Sequence, residues 1–132
     1  MKMKRLFCIF AAAALVCACV DYSFEEASQV AEIFVKSYIV CDYETAAEYC
    51  ESGLAARVED RKAEFEALSE AMRAEVKAQA AEIKSSFRQI PDDRDGVVAL
   101  EYKIGQKTYK MLLTKSDKWR VSSLEAMDAA GN

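Results

Sequence analysis

Gly105-Gln106 is the point about which this chain can be put in register, because a two-residue turn there makes both faces of the flanking segments complementary. Glycine suits the first turn position of a type II′ hairpin, where φ must be positive. Folding about it sets Tyr102 opposite Tyr109, Leu100 opposite Met111 and Val98 opposite Leu113, so every pair on one face is apolar. The other face sets Glu101 opposite Lys110, a favourable cross-strand pair. A slip of one residue would exchange the two faces, so the pattern admits one register.

The same parity reads the next turn. A two-residue loop at Ser116-Asp117 would put Trp119 and Val121 on the polar face, whereas a three-residue loop ending at Lys118 sets Val121 opposite Leu113 and Trp119 on the core side. Strands are expected at about 97–105, 107–115 and 118–125, forming a three-stranded antiparallel meander with one apolar face. That face must be covered, and the preceding sequence carries amphipathic helices that can cover it.

Ala27, Val30, Ala31, Phe34, Tyr38 and Cys41 recur at steps of three and four behind a Ser23/Glu26 capping box, which predicts a helix over 24–41. Asp42 can cap a short helix over 43–50, in which Tyr43, Ala46, Ala47 and Cys50 share a face and which Ser52-Gly53 ends. From Leu54 onward, Val58, Phe65, Leu68, Met72, Val76, Ile83, Phe87 and Ile90 form a stripe that predicts one helix over 54–89. Such a helix would be about 54 Å long, which a domain of this size accommodates only with a bend, a frayed end or an overhang. Pro91 and Asp92-Asp93-Arg94-Asp95-Gly96 then stop it. The fold class expected is α+β, helices first and sheet last.

The first residues carry a different message. Lys2, Lys4 and Arg5 precede a fifteen-residue apolar run from Leu6 to Val20, short of the roughly 20 needed to span a bilayer. A basic start, an apolar middle and small residues before a cut form a secretory signal. Val16, Ala18 and Cys19 further resemble the processing site of bacterial lipoproteins, with Cys17 standing where Ala or Ser is commoner. The resemblance implies removal of residues 1–18, lipidation of Cys19, a short tether over 19–23 and a single domain over 24–132. The same residues also suit cleavage after Ala18 without lipidation. Two or more acyl chains, palmitate among them, give a stable membrane anchor where one does not. In the lipoproteins it resembles, Val20 rather than Asp after the lipidated cysteine implies the periplasmic face of the outer membrane.

The full chain has a net charge of −4; removing residues 1–18, with three basic and no acidic side chains, leaves fifteen basic against 22 acidic residues, a charge of −7. A nucleic-acid partner needs clustered Lys and Arg, and this balance opposes one. No His occurs anywhere, so imidazole bases and His metal sites are excluded. Removal of the signal and acylation of Cys19 leave Cys41 and Cys50 as the unmodified cysteines. A helix between them would hold their Cα atoms roughly 12 Å apart, beyond the limit of about 7 Å for a disulfide, so both are read as buried thiols. Gly53, Gly96, Gly105 and Gly131 are isolated, which leaves no phosphate loop.

The Asp92 cluster has an acidic-loop look, but Lys103 stands where a calcium loop has its twelfth-position Glu, and Arg94 fills a ligand slot. It is read as a solvated turn, and no metal or cofactor is expected. Glu101, the acid inside an expected strand, faces away from the core, and Asp42 is explained as a cap, so an enzyme is not expected. Phe34, Tyr38, Tyr102, Tyr109 and Trp119 either fill the core or line a small-molecule cavity.

Three helices followed by a terminal meander, with CDYETAAEYC after the first helix and KSDKWRVSSLE closing the sheet, resemble the nuclear transport factor 2-like fold. The resemblance is to small exported lipoproteins carrying such a domain. It implies a cone whose sheet curls around a helix, leaving a pocket that members use for catalysis, binding or dimerisation. A small-molecule or protein binding module on a lipid anchor is the function expected. A dimeric accessory lipoprotein and an acid-base enzyme using Asp and Tyr are the alternatives.

Overall fold

The structure, a computed structural model, describes the backbone of residues 14–127 and side chains from Ser23 onward. Four helices, α1 (Ala14–Ile39), α2 (Tyr43–Glu48), α3 (Ser52–Glu66) and α4 (Glu70–Ala80), lead into four strands, β1 (Ser85–Ile90), β2 (Val97–Ile104), β3 (Lys107–Lys115) and β4 (Trp119–Ala126). The strands form one antiparallel sheet in the order β1-β2-β3-β4. Among the described residues no helix is long and apolar enough to cross a membrane.

The central hairpin has the expected register, with Tyr102 on Tyr109, Leu100 on Met111, Val98 on Leu113 and Glu101 on Lys110. Gly105 has φ +63°, and the positive φ falls on the first turn residue, as type II′ requires. The following turn has three residues: Lys115 pairs with Trp119 and Leu113 with Val121. A bulge then intervenes between Leu112 and Leu113, so Leu112 pairs with Ser123 and Met111 with Leu124. Ser122 is the extra residue, and its hydroxyl donates to the Leu112 carbonyl at 3.2 Å. Unbroken alternation after Val121 would turn Leu124 outward and Glu125 inward; the bulge reverses both.

The expected single helix over 54–89 is corrected to two helices and a fourth strand, so the sheet has four strands rather than three. Ser69 takes extended backbone (φ −68°, ψ 162°) and its side chain accepts from the Met72 N–H at 3.1 Å, capping α4 and interrupting the run at Ala67–Ser69. Residues 85–90 then pair along β2, from Ser85 on Ile104 to Ile90 on Ala99. Ile83, Phe87 and Ile90 fit helical spacing, but hydrogen bonding to the open edge of β2 overrides that local pattern. Ser52-Gly53, read as ending the second helix, instead opens α3 behind Glu51.

The first helix also differs from expectation. It runs back through Ser23 to Ala14, since Ala14–Ser23 contains neither Pro nor Gly to interrupt it. The expected tether 19–23 lies within this helical backbone. Residues 1–13, most of the expected signal, and the side chain of Cys19 lie outside what the structure describes.

At its other end α1 closes in a Schellman motif: the Asp42 N–H donates to the Ser37 carbonyl at 2.8 Å and the Cys41 N–H to that of Tyr38 at 3.1 Å. The motif puts Cys41 at φ +67°, a left-handed conformation that costs a residue with a Cβ about 1–2 kcal/mol and glycine almost nothing. Cys41→Gly is expected to raise stability by about 0.5–1 kcal/mol, after allowance for the greater freedom of glycine in the unfolded chain. Thermal unfolding checks this; a lower Tm would mean that thiol packing outweighs the strain.

Asp42 caps α2 as expected, its side chain accepting from the Thr45 N–H at 3.3 Å. α1 lies across β2 and β4, and α3 lies against β4. Ala27, Ala31, Phe34 and Val35 of α1 are buried on Val98, Leu100, Tyr102, Met111, Leu113, Trp119 and Val121 of the sheet. Two alanines at i and i+4 bring the helix close to the strands, and the larger pair fills the space one turn further on. β4 gains a further partner where the Glu51 N–H donates to the Val121 carbonyl and the Val121 N–H to that of Tyr49.

Candidate functional site

Two concavities flank α1. The first, about 240 Å³, lies between α1, α3 and β4 and is lined by Phe34, Tyr38, Leu54, Arg57, Val58, Asp60, Arg61, Glu64 and Leu124. Its floor is apolar, because Leu54 and Val58 share one face of α3 at i and i+4 and the Ser122 bulge brings Leu124 inward. Its mouth is charged, because Arg57 and Arg61 repeat at i+4, as do Asp60 and Glu64. Arg61 approaches Glu64 at 3.9 Å with both side chains mostly exposed, a pair worth about 0–1 kcal/mol. Arg57 has no ion-pair partner within 4.0 Å among the described residues.

Aromatic rings back this cavity. Phe34 stacks on Tyr38 (5.7 Å between centroids), Tyr38 meets Tyr43 edge-on (5.4 Å) and Tyr43 meets Phe65 (6.0 Å). Such contacts add about 0.5–1.5 kcal/mol each beyond the area buried. The chain's rings thus hold the C-terminal half of α1, α2 and α3 in fixed relation. Burial raises the Tyr38 pKa above its ordinary value, while Arg61 and then Arg57 pull it back more strongly than Glu64 pushes it up.

The second concavity, also about 240 Å³, lies between α1 and β1, lined by Glu32, Val35, Lys36, Ser85, Ser86, Phe87 and Tyr102. Phe87 bridges to Tyr102 (5.1 Å) and to Phe24 (6.4 Å). A shallow depression beside the Asp92 turn is lined by Gln89, Pro91, Asp92, Asp93 and Arg94. Its charges are already spent on one another: Arg94 donates to both Asp92 oxygens, at 2.9 and 2.6 Å, and holds that carboxyl down to about 2. Among the described residues no group of three or more Cys, Asp or Glu side chains is placed to hold a metal ion.

The five aromatic residues singled out from sequence do not converge on one site. Phe34 and Tyr38 line the first cavity and Tyr102 the second, while Tyr109 and Trp119 line neither. Tyr109 sits near enough to Tyr38 to oppose its ionisation. Trp119 belongs to the core at 6 % exposure, and its indole N–H finds no acceptor among the described residues, a burial that costs about 1–3 kcal/mol. The lining residues of the first cavity not singled out as pocket residues from sequence are Leu54, Arg57, Val58, Asp60, Arg61, Glu64 and Leu124; the i, i+4 spacing of Leu54/Val58 and Arg57/Arg61 was the available signal.

Both cysteines are free thiols. Cys50 donates to the Ala46 carbonyl at 3.3 Å, and burial pushes its pKa up to about 12. Cys41 accepts from the Tyr43 hydroxyl at 3.7 Å. Burial, and secondarily Glu32, pushes Tyr102 up to about 12 as well. The ordinary values are 9.0 for Cys50 and 10.0 for Tyr102, so above about pH 9 the unfolded chain releases protons that the folded chain keeps. Stability is complete below that pH and falls as pH rises toward 12. Melting curves should show this decline, and Cys50→Ala should delay its onset by about one pH unit.

Glu101, on the outer sheet face, pairs with Arg88 of β1 at 2.5 Å and lies opposite Lys110. It is therefore a strand-to-strand tie, remote from either cavity. Compared with protein-family models, curated proteins and solved structures, the chain matches none.

Proposed function

We propose that this chain is a non-enzymatic cell-envelope protein, held by a lipid on Cys19, whose α+β domain binds a small molecule between α1, α3 and β4. The observation that carries the binding half is the cavity itself: an apolar floor of Phe34, Leu54, Val58 and Leu124 beneath a mouth of Tyr38, Arg57, Asp60, Arg61 and Glu64, a combination of apolar wall and convergent polar groups that ligand sites use. The anchor half rests on Val16-Cys17-Ala18-Cys19 after a basic, apolar leader. The reading of the domain as a nuclear transport factor 2-like cone rests on the helices that precede the sheet and on the cavity between α1, α3 and β4.

Position relative to the anchor favours a water-borne ligand over a membrane lipid. Cys19 precedes Phe24 by five residues, so the N-terminal end of α1 would stand near the bilayer, on the periplasmic face of the outer membrane. From Phe24 to Tyr38 the helix rises about 21 Å, so the cavity would open well away from the lipid. Enzymatic use has little support. An acid-base carboxylate at neutral pH needs an upward shift, and Asp92 and Asp117 are displaced downward, to about 2, by Arg94 and Arg120.

A partner-binding role has one observation of its own. α4 reaches the rest of the chain through Arg73, which donates to the Glu66 and Leu68 carbonyls, and through Lys77 over the Phe65 ring. Met72 on α4, Ile83 in the turn that follows it and Phe87 on β1 are 52, 41 and 37 % exposed. The two readings part in solution: a stable dimer at micromolar concentration favours association, and a monomer favours the pocket. The pocket is tested by screening small organic molecules against Leu and Val methyl resonances. Shifts confined to Leu54, Val58 and Leu124 are the expected result, and their absence across acidic, basic and neutral compounds defeats it.

A further inference from the structure

Resting on the reading of this cavity as a binding site, we infer that its ligand is a small amphipathic carboxylate, its apolar body on Phe34, Leu54, Val58 and Leu124 and its charge held at the mouth by Arg57, Arg61 and the Tyr38 hydroxyl. The space, about 240 Å³, is below the range of about 300–1,000 Å³ that holds drug-sized ligands. A body on the order of ten non-hydrogen atoms fits it, a phenyl or branched aliphatic group with one charged end.

Three features set the sign of that charge. Arg57 and Arg61 lie four residues apart on α3, so their guanidinium groups stand over one stretch of the mouth, and planar guanidinium donors match a carboxylate in two-point geometry. Neither is committed: Arg57 has no ion-pair partner among the described residues, and Arg61 has only the exposed 3.9 Å contact with Glu64. The Tyr38 hydroxyl, which forms no hydrogen bond with the described residues, is a free donor at the same wall. Arg61 and Arg57 each act on that hydroxyl more strongly than Glu64 does, in the direction that stabilises negative charge. Asp60 and Glu64 also border the mouth, so an ammonium ligand is the competing chemistry.

The test uses three ligands of one size on the full chain in phosphatidylcholine nanodiscs: phenylacetate, the neutral phenylacetamide and the cationic phenethylamine. Phenylacetate should shift the Leu54, Val58 and Leu124 methyls and leave Val98 and Leu113 in place, with the amide at least tenfold weaker. Arg57→Gln combined with Arg61→Gln, both exposed positions, should reduce phenylacetate to the level of the amide. Equal binding of acid and amide, or tighter binding of the amine, overturns the carboxylate assignment and leaves the cavity as a site of other chemistry. If none of the three moves these methyls, the carboxylate assignment fails; if the wider set of small molecules is silent too, the binding reading fails with it.

Discussion

Phe34→Ala should destabilise the domain by about 4 kcal/mol, lowering Tm by more than about 15 °C. The ring is 1 % exposed, stacks on Tyr38 and lies both in the core and under the cavity. Its removal loses the transfer free energy of the side chain and leaves a void that α1, pinned to the sheet by Ala27, Ala31 and Val35, cannot collapse to fill. A domain of this size has about 5–15 kcal/mol in all, so the variant would be close to unfolding at 37 °C. Phe34→Leu keeps most of the volume and should cost about 1.5 kcal/mol or less. Thermal or urea unfolding decides: a loss under about 1 kcal/mol for Phe34→Ala would mean that the helix settles onto the sheet and that the cavity is not held open by a rigid wall.

The sheet was the most readable part of the chain. Gly105 and the alternation on either side leave one register, and Val121 must face Leu113 if Trp119 is to be buried. β1 was hidden because Ile83, Phe87 and Ile90 satisfy a helical period, and only pairing with β2 distinguishes the two. The bulge at Ser122 leaves a local trace: alternation continued past Val121 strands Leu124 on the outer face, an inconsistency that one extra residue removes. The break at Ser69 rests on one cap whose signature is no stronger than that of other serines in the chain.

The site was less readable than the fold, for a related reason. Residue type picked out Phe34, Tyr38, Tyr102, Tyr109 and Trp119, but aromatic character does not say which part of a buried face is left uncovered. That depends on where α3 meets β4, and hence on Leu124 and the bulge. Arg57 and Arg61 belong to a helix crowded with both signs of charge, and become distinctive only where they overhang an apolar floor beside Tyr38.

Cys19→Ser should move nearly all of the protein from the membrane fraction to the soluble fraction. With two or more acyl chains, each buried CH₂ contributing about 0.8 kcal/mol, the unsubstituted chain should stay on the membrane through salt washes; without them no described helix can span the bilayer in compensation. Intact mass should show acyl chains on an N-terminal Cys19 in the natural chain and none in the variant. The substitution lies before Ala27, the first residue of the core cluster, so the domain's melting temperature should be unchanged. Equal mass and equal solubility of the two forms would defeat the anchor.

Whether the space between α1, α3 and β4 receives a small carboxylate is decided most directly by a crystal structure of the protein grown with phenylacetate. Density for the ring against Phe34, Leu54, Val58 and Leu124, with the carboxylate beside Arg57 and Arg61, is the result expected. An empty cavity at saturating phenylacetate, narrowed by Leu124 or closed by the Arg61 side chain folding inward, would contradict it.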